Sequence, residues 1–271
     1  RTAVDNNGVI NVNNGQMYLE TSVGSDELGV INIGTSGDFY INSGAVMENT
    51  GQTLDVGDTV RLNGGRIVGG TVDGGLHVSQ DSYLEGDVTV NGPIDLDRND
   101  DLYVYGSLFL NGKATLGQDD EFLRFRYLPG QGTVTLGGNT SSEVQLQNDY
   151  NYDYDELGLE ENVHLLVDAN TLIHGEGYVG SWGRNTRSNT KLVNTGTIQA
   201  DSSGWLYVQP ETLINEGTMS ATTSNAKLSV ESSVQEFVNE GEISVDGGAK
   251  FYLRTAVDNN GVINVNNGQM Y

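Results

Sequence analysis

Clustered carboxylates are the side chains of this sequence that suggest chemistry most directly. The densest cluster contains Asp149, Asp153, Asp155 and Glu156, within the stretch NDYNYDYDELGLE of residues 148–160. Carboxylates on turns can bind Ca²⁺, which takes about six to eight oxygen ligands. The cluster has neither the EF-hand spacing nor the glycine-rich nonapeptide calcium repeat. Two interpretations of residues 148–156 stay open, a calcium site and a solvated acidic loop, and no other cofactor is expected.

Histidine chemistry has little support in the sequence. His77, His164 and His174 are far apart, and no Ser-His-Asp arrangement or phosphate-cradling loop can be identified. Two tryptophans and 13 tyrosines could stack on sugars. The spacing of Tyr207 and Tyr252, and of Tyr18 and Tyr40, instead predicts one outward stripe, suited to lateral contacts or to a glycan. No residue is predicted to be catalytic, and the chain is not expected to be an enzyme.

Charge and composition exclude several classes of function. The formal net charge is −24, so binding to nucleic acid is not expected, because that affinity depends on Lys and Arg neutralising phosphates. The sequence has no cysteine and no run of eighteen apolar residues, which excludes disulfides and predicts no membrane span. An acidic surface of this kind favours solubility and repulsion between neighbouring molecules.

A short repeat indicates the elements that position the side chains. Segments such as IQA at 198–200 and ISV at 243–245 alternate apolar and polar residues, as strands with one buried face do. The glycine of a preceding Asn-x-Gly or related tripeptide recurs about every 21 residues, a spacing typical of solenoids. Each repeat supplies about three short strands, which need stacked neighbours to fold. The sequence predicts an all-β, right-handed parallel β-helix (β-solenoid) with roughly 21 residues per coil.

The Asn-x-Gly tripeptides are predicted to form corners between strands. Gly adopts positive φ freely, Asn tolerates it, and asparagines stacked at one corner can hydrogen-bond along the axis. The predicted corner residues are Asn6, Gly8, Asn49, Gly51, Asn194, Gly196, Asn215, Gly217, Asn239 and Gly241. The residues after these corners are predicted to stack in one buried column, namely Ile10, Ile31, Leu54, Ile198, Met219 and Ile243.

A longer repeat contains the short one. Residues 1–18 and 254–271 both read RTAVDNNGVINVNNGQMY. The sequence therefore predicts that residues 1–253 form one solenoid unit of about twelve coils, with a loop insertion at 148–160. Residues 254–271 would begin the next identical repeat, and an overlap that caps a fragment is the alternative. At a strand spacing of ~4.8 Å, one repeat would advance about 58 Å, and its two copies should superpose by a screw operation.

The style of repeat is similar to that of known proteins. LVNTGTIQAD, LINEGTMSA, FVNEGEISV and GGRIVGGTVDGG resemble coils of large bacterial surface proteins of the filamentous-haemagglutinin and autotransporter-passenger types. The resemblance covers most of the chain and includes no catalytic motif. It implies secretion to the cell surface or a biofilm matrix and a role in adhesion or fibre building. The exact repeat of residues 1–18 at an offset of 253 departs from most such adhesins and favours a structural filament with self-association as its main contact.

Two alternatives to a structural filament remain. The first is an adhesin stalk that binds glycans or the surface of a host or neighbouring cell. The second, less favoured, is a β-helix polysaccharide lyase or hydrolase, in which paired carboxylates would act as acid and base. Hydrolases that resemble polygalacturonases carry a Gly-His-Gly motif and a nearby Arg-x-Lys, and this sequence has neither.

Overall fold

The chain folds almost entirely into β-strands that pair in parallel. The computed structural model describes residues 5–57, 59–117, 120–147, 155–181 and 188–271. These segments contain 33 strands and one 3-10 helix, Ser25–Glu27. Each strand pairs with strands about one coil away in the sequence, which confirms a parallel β-solenoid of about twelve coils. No helix within the described segments is long and apolar enough to cross a membrane.

Three faces, each a ladder of twelve strand segments, enclose the core. Face 1 contains β1 (Val9–Val12), β4 (Val30–Ile33), β7 (Thr53–Asp55), residues 70–73 of β9 (Arg66–Asp73), residues 88–90 of β11 (Ser82–Val90), β14 (Leu108–Leu110), β17 (Val134–Gly137), β20 (His164–Val167), β22 (Lys191–Asn194), β25 (Thr212–Asn215), β28 (Glu236–Asn239) and β31 (Asp258–Asn259). The pair β1–β4 continues into β7 through a hydrogen bond from the Ile33 N–H to the Val56 carbonyl.

The chain next enters face 2 and then face 3 before it returns to face 1. Face 2 contains β2 (Gln16–Leu19), β5 (Asp38–Asn42), β8 (Val60–Asn63), β10 (Leu76–Gln80), β12 (Ile94–Leu96), β15 (Lys113–Leu116), β18 (Ser142–Gln147), residues 171–176 of β21 (Thr171–Gly180), β23 (Thr197–Ala200), β26 (Thr218–Ala221), β29 (Glu242–Asp246) and β32 (Val262–Asn266). Face 3 contains β3 (Val23–Gly24), β6 (Val46–Glu48), residues 66–68 of β9, residues 82–85 of β11, β13 (Asp101–Tyr105), β16 (Phe122–Phe125), β19 (Glu156–Leu159), residues 177–180 of β21, β24 (Trp205–Gln209), β27 (Lys227–Val230), β30 (Lys250–Leu253) and β33 (Gln269–Met270).

Stacked apolar side chains fill the interior along the whole axis. One column on face 2 runs through every coil, because each member pairs with the next, and comprises Met17, Phe39, Val60, Leu76, Ile94, Ala114, Val144, Ile173, Ile198, Met219, Ile243 and Ile263. All but the two end members are buried. Burial of such a column stabilises each coil at about 25 cal/mol per Å² of apolar surface removed from water.

The predicted column is correct for its second half and wrong for its first half. Ile198, Met219 and Ile243 stack on face 2. Ile10 pairs with Ile31 on face 1, and Leu54 pairs with Val72 on the same face. Alternation along a strand specifies which side chains point inward, but it does not specify the face on which the strand lies.

Part of the predicted insertion at 148–160 belongs to the solenoid itself. Glu156–Leu159 forms β19, which pairs with β16 on one side and β21 on the other, and all four of its residues are buried. Residues 148–154 lie outside the described residues.

Candidate functional site

A buried asparagine ladder occupies the corner between face 1 and face 2. The Nδ2 of Asn194 donates to Oδ1 of Asn215 at 2.8 Å, Asn215 to Asn239 at 2.7 Å, and Asn239 to Asn259 at 2.6 Å. Asn194, Asn215 and Asn239 have no solvent exposure. Buried amides need hydrogen-bond partners, and here each coil supplies the partner for the next. The ladder therefore links four successive coils in one register.

The backbone of this corner is also tied to the next coil. The carbonyl of Asn194 accepts hydrogen bonds from the N–H groups of Glu216 and Gly217, both at 2.8 Å, and the carbonyl of Asn215 accepts two in the same way. A Cβ atom added to Gly217 would overlap the carbonyl oxygen of Gly196. Gly217 does not have positive φ. The corner glycine is thus required for close backbone stacking here, whereas the sequence suggested a need for positive φ.

The first-half corner residues lie elsewhere. Asn49 follows β6 on face 3 and precedes β7 on face 1, and its Nδ2 donates to the carbonyls of Gly69 and Thr71. Asn6 precedes β1, and its Nδ2 donates to the carbonyl of Leu28 at 2.7 Å. Gly51 does have positive φ, at 72°. Gly8 precedes β1 by one residue and its N–H donates to Oδ1 of Asn6. The same motif therefore turns two different corners of the solenoid.

A ladder of aromatic rings runs along the outside of face 3. Tyr178 stacks on Tyr207 at 4.8 Å between ring centroids, and Tyr207 stacks on Trp205 at 5.4 Å. Trp205 contacts Tyr252 at 4.8 Å, and Tyr252 stacks on Tyr271 at 4.9 Å. The strand between those of Tyr207 and Tyr252 carries Ser229, which pairs with both tyrosines. The larger indole of Trp205 therefore spans the coil that lacks an outward ring.

The rings of this ladder mainly cover one another. Three neighbouring ring pairs lie nearly parallel, with interplanar angles of 17°, 1° and 11°, and the Trp205–Tyr252 pair is tilted by 37°. Lys227 and Arg254 lie over the ring of Trp205, at 5.2 Å and 5.7 Å from its centroid, and add cation–π contacts. Sugar binding by aromatic residues needs an open ring face. The arrangement is therefore better suited to holding coils together than to receiving a sugar.

The predicted single tyrosine stripe is divided between two faces. Tyr207 and Tyr252 lie on face 3, whereas Tyr18 and Tyr40 lie on face 2, where they stack at 5.0 Å. Arg61 lies 5.8 Å from the centroid of Tyr40 and bonds Asp38, whose hydrogen bond raises the pKa of the Arg61 guanidinium.

A charged network on face 3 surrounds Arg124. Its Nη1 lies 3.3 Å from Oδ2 of Asp101, and its Nη2 lies 3.8 Å from Oε2 of Glu156. The hydroxyl of Tyr103 donates to the same Asp101 oxygen at 2.5 Å. Burial raises the pKa of Asp101, although the Tyr103 hydrogen bond and the charge of Arg124 act in the opposite direction. Burial, together with Asp101, also raises the pKa of Tyr103.

The calcium candidates do not form an exposed set of ligands in the described residues. Asp155 and Glu156 are each only 1% exposed, and Glu156 begins a strand beside Arg124. Asp149 and Asp153 lie outside the described residues. Among the residues that the structure describes, no group of three or more His, Asp or Glu side chains is placed to hold a metal ion. Calcium binding at 148–156 thus remains the untested prediction that the sequence suggested.

His174 bridges two carboxylates from different coils. Its Nδ1 lies 2.8 Å from Asp201, and its Nε2 lies 3.0 Å from Glu143, which also bonds Lys113 at 2.8 Å. The Lys113 hydrogen bond, with a smaller contribution from His174, lowers the pKa of Glu143. Sequence spacing could not reveal this contact, because the partners are about thirty residues apart and meet only when coils stack.

No family model, curated protein or solved structure matches the chain.

The repeated segment displays both neighbours of one strand. In the second copy, Ile263 pairs with Ile243 of the preceding coil. In the first copy, the identical residue Ile10 pairs with Ile31 of the following coil. The strand VINV is thus compatible with a parallel partner on either side, and the two copies together define the pairing across a junction between repeats.

Proposed function

We propose that this chain is the repeat unit of an extracellular bacterial fibre or surface filament, in which tandem copies continue one β-solenoid. The observation that carries the proposal is the strand VINV, which has Ile243 as its neighbour in one copy and Ile31 in the other. Both pairings are parallel and keep the same register, with each residue of the strand opposite its counterpart. The partner of the chain is therefore another copy of itself.

Both ladders support a load-carrying role. Every coil is joined to the next by parallel backbone pairing, and the second half adds buried asparagine bonds and stacked rings. Repeat proteins gain stability from such nearest-neighbour contacts, so each added copy stabilises those beside it. A net charge of −24 per chain keeps parallel fibres apart at neutral pH.

An adhesin stalk that binds glycans is the alternative function. It depends on open aromatic faces, and the rings of face 3 are stacked on one another. A polysaccharide-cleaving enzyme is the third candidate. The most buried carboxylates on face 3, among them Asp101 and Glu156, lie beside Arg124, an arrangement that also suits a structural ion pair. We therefore favour the filament.

Proteins that contain one, two and three tandem copies test the proposal. VINV lies on face 1 of the first coil in one copy and on face 2 of the twelfth coil in the other, so eleven and one third coils separate the copies. At a strand spacing of ~4.8 Å, electron microscopy should show straight rods that lengthen by about 54 Å per copy. A matched protein with a flexible Gly-Ser linker between copies should bend at the junction. Separate beads without the linker, each unfolding independently of the copy number, would contradict a continuous solenoid.

Location needs a separate measurement. Antibodies raised against the chain should label intact cells of the source bacterium, or filaments between those cells, without permeabilisation. Labelling that appears only after the cells are opened would refute the extracellular assignment while leaving the filament itself in place.

A further inference from the structure

The two copies of the repeated segment lie on different faces of the solenoid. VINV forms β1 on face 1 in the first copy and lies within β32 on face 2 in the second. QM begins β2 on face 2 in the first copy and forms β33 on face 3 in the second. Each element has thus moved to the next face in chain order, and strand–turn–strand structure is kept.

The shift arises inside the chain. The Asn-x-Gly motif turns the corner from face 3 to face 1 at Asn49 and the corner from face 1 to face 2 at Asn194. Between Leu54 on face 1 and Ile198 on face 2, the coils complete six turns and one further face. The Asn-x-Gly motif and the strand that follows it therefore recur one third of a coil further round the axis.

We infer that successive copies in the fibre are related by eleven coils plus one third of a coil, so that each copy is rotated by one third of a turn relative to the last. This inference rests on the proposed tandem fibre and specifies its symmetry. Because the solenoid has three faces, a shift of one face per copy restores the starting orientation after three copies.

The aromatic ladder fits this rotation. Tyr271 ends the ladder of face 3 by stacking on Tyr252. Its counterpart in the first copy, Tyr18, stacks on Tyr40 of the following coil. With a shift of one face, the next copy places its own Tyr40 on face 3, directly beyond Tyr271. Without the shift, Tyr40 of the next copy would lie on face 2, as it does in the first copy, and the ladder of face 3 would stop at Tyr271.

The asparagine ladder gives the same result. Asn259 accepts the last bond of the ladder, from Asn239, at the corner between faces 1 and 2. Its counterpart Asn6 donates to the carbonyl of Leu28, at the corner between faces 3 and 1. One shift of face superposes these corners, so one asparagine accepts from the preceding coil and donates to the following one. The corresponding tripeptide of the following coil, Glu27-Leu28-Gly29, lacks the Asn, and the ladder ends there.

The rotation distributes every surface feature around the fibre. The rings near Trp205, which lie on one side of a single copy, would appear on all three sides over three copies. An unrotated array would instead repeat each surface feature along one side of the fibre.

A single cysteine per copy tests the rotation directly, because the chain has no cysteine of its own. Ser224 lies at an exposed turn between β26 and β27, and Ser224→Cys is the labelling variant. Four-copy proteins that carry this cysteine in copies 1 and 2 only, or in copies 1 and 4 only, are labelled with maleimide gold clusters and imaged by cryo-electron microscopy. The gold should lie on the same side of the rod for copies 1 and 4, and one third of a turn apart for copies 1 and 2.

Gold on the same side of a straight rod for both pairs would overturn the inference, because it requires a whole number of coils per copy. A rod that bends or separates at junctions would instead contradict the proposed fibre. The two failures are therefore distinguishable in one set of images. A helical reconstruction of the unlabelled rod gives a second, label-free value for the rotation per copy.

Discussion

The two fixed residues of the Asn-x-Gly corner have different physical roles. Asn215 supplies a buried amide that both accepts and donates along the axis, so it sets the spacing and register of successive coils. Gly217 supplies the absence of a side chain, which lets its coil approach the carbonyl of Gly196. The sequence alone suggested the amide ladder, because stacked repeats place identical residues over one another. It could not suggest the close approach, since that distance depends on how tightly the corners nest.

Replacing Gly217 by Ala should lower the free energy of unfolding by about 1–3 kcal/mol, as expected when a tightly packed site must expand. The added Cβ would overlap backbone, which cannot rotate away as a side chain would. Gly132→Ala is the matched control, because nothing lies within 4 Å of its added Cβ. Urea denaturation measures both variants, and equal stability of the two would contradict the packing role of Gly217.

Replacing Asn215 by Ala should cost about 1–3 kcal/mol, because Asn239 then keeps a buried carbonyl oxygen without its donor. Asn32→Ala removes a similar but exposed bond, from Asn32 to Asn11 at 3.1 Å, and should change stability by less than about 0.5 kcal/mol. Hydrogen exchange should show the loss concentrated in coils next to Asn215. A loss of the same size in the Asn32 variant would show that burial is not the cause.

At the scale of elements, the outward ladder compensates for coils that differ in sequence. Ser229 interrupts the column of tyrosines. Trp205, two residues before Tyr207 on the same strand, closes the gap between Tyr207 and Tyr252. The sequence predicts outward tyrosines from alternation, but it does not show that an indole two residues away reaches across a coil. That contact depends on side-chain direction on a pleated strand, which spacing alone does not determine.

Trp205→Ala should lower the free energy of unfolding by about 1–2 kcal/mol through lost ring stacking and lost cover of the strand. Tyr127→Ala, which removes a ring that is 36% exposed and outside the ladder, should change it by less than about 0.5 kcal/mol. Binding of polysaccharides measured on the same variants separates the two functions. Unchanged stability with loss of sugar binding in the Trp205 variant would favour the adhesin over the filament.

At the scale of the whole molecule, the type of fold could be predicted from sequence and the path around its axis could not. Period-two alternation and glycines about 21 residues apart specify stacked parallel coils almost uniquely. The face on which Ile10 or Ile263 lies depends on the sum of all intervening coil lengths. That sum includes the short coil from Val60 to Leu76 and the long one from Ala114 to Val144, and one displaced corner shifts everything after it.

The net charge of −24 predicts how the intact fibres respond to solution conditions. Near the sequence pI of about 4.1, the repulsion between fibres disappears and light scattering should rise as they associate laterally. At pH 7, added NaCl should act in the same direction but more weakly, because a Debye length of about 10 Å at 0.1 M still leaves close contacts repulsive.

Ca²⁺ and Mg²⁺ at equal ionic strength provide the control. Equal effects would indicate charge bridging alone, whereas association or thermal stabilisation specific to Ca²⁺ and reversed by a chelator would support a site at residues 148–156. Fibres that stay dispersed at pH 4 would show that something other than net charge, such as the turns at the corners, prevents lateral contact.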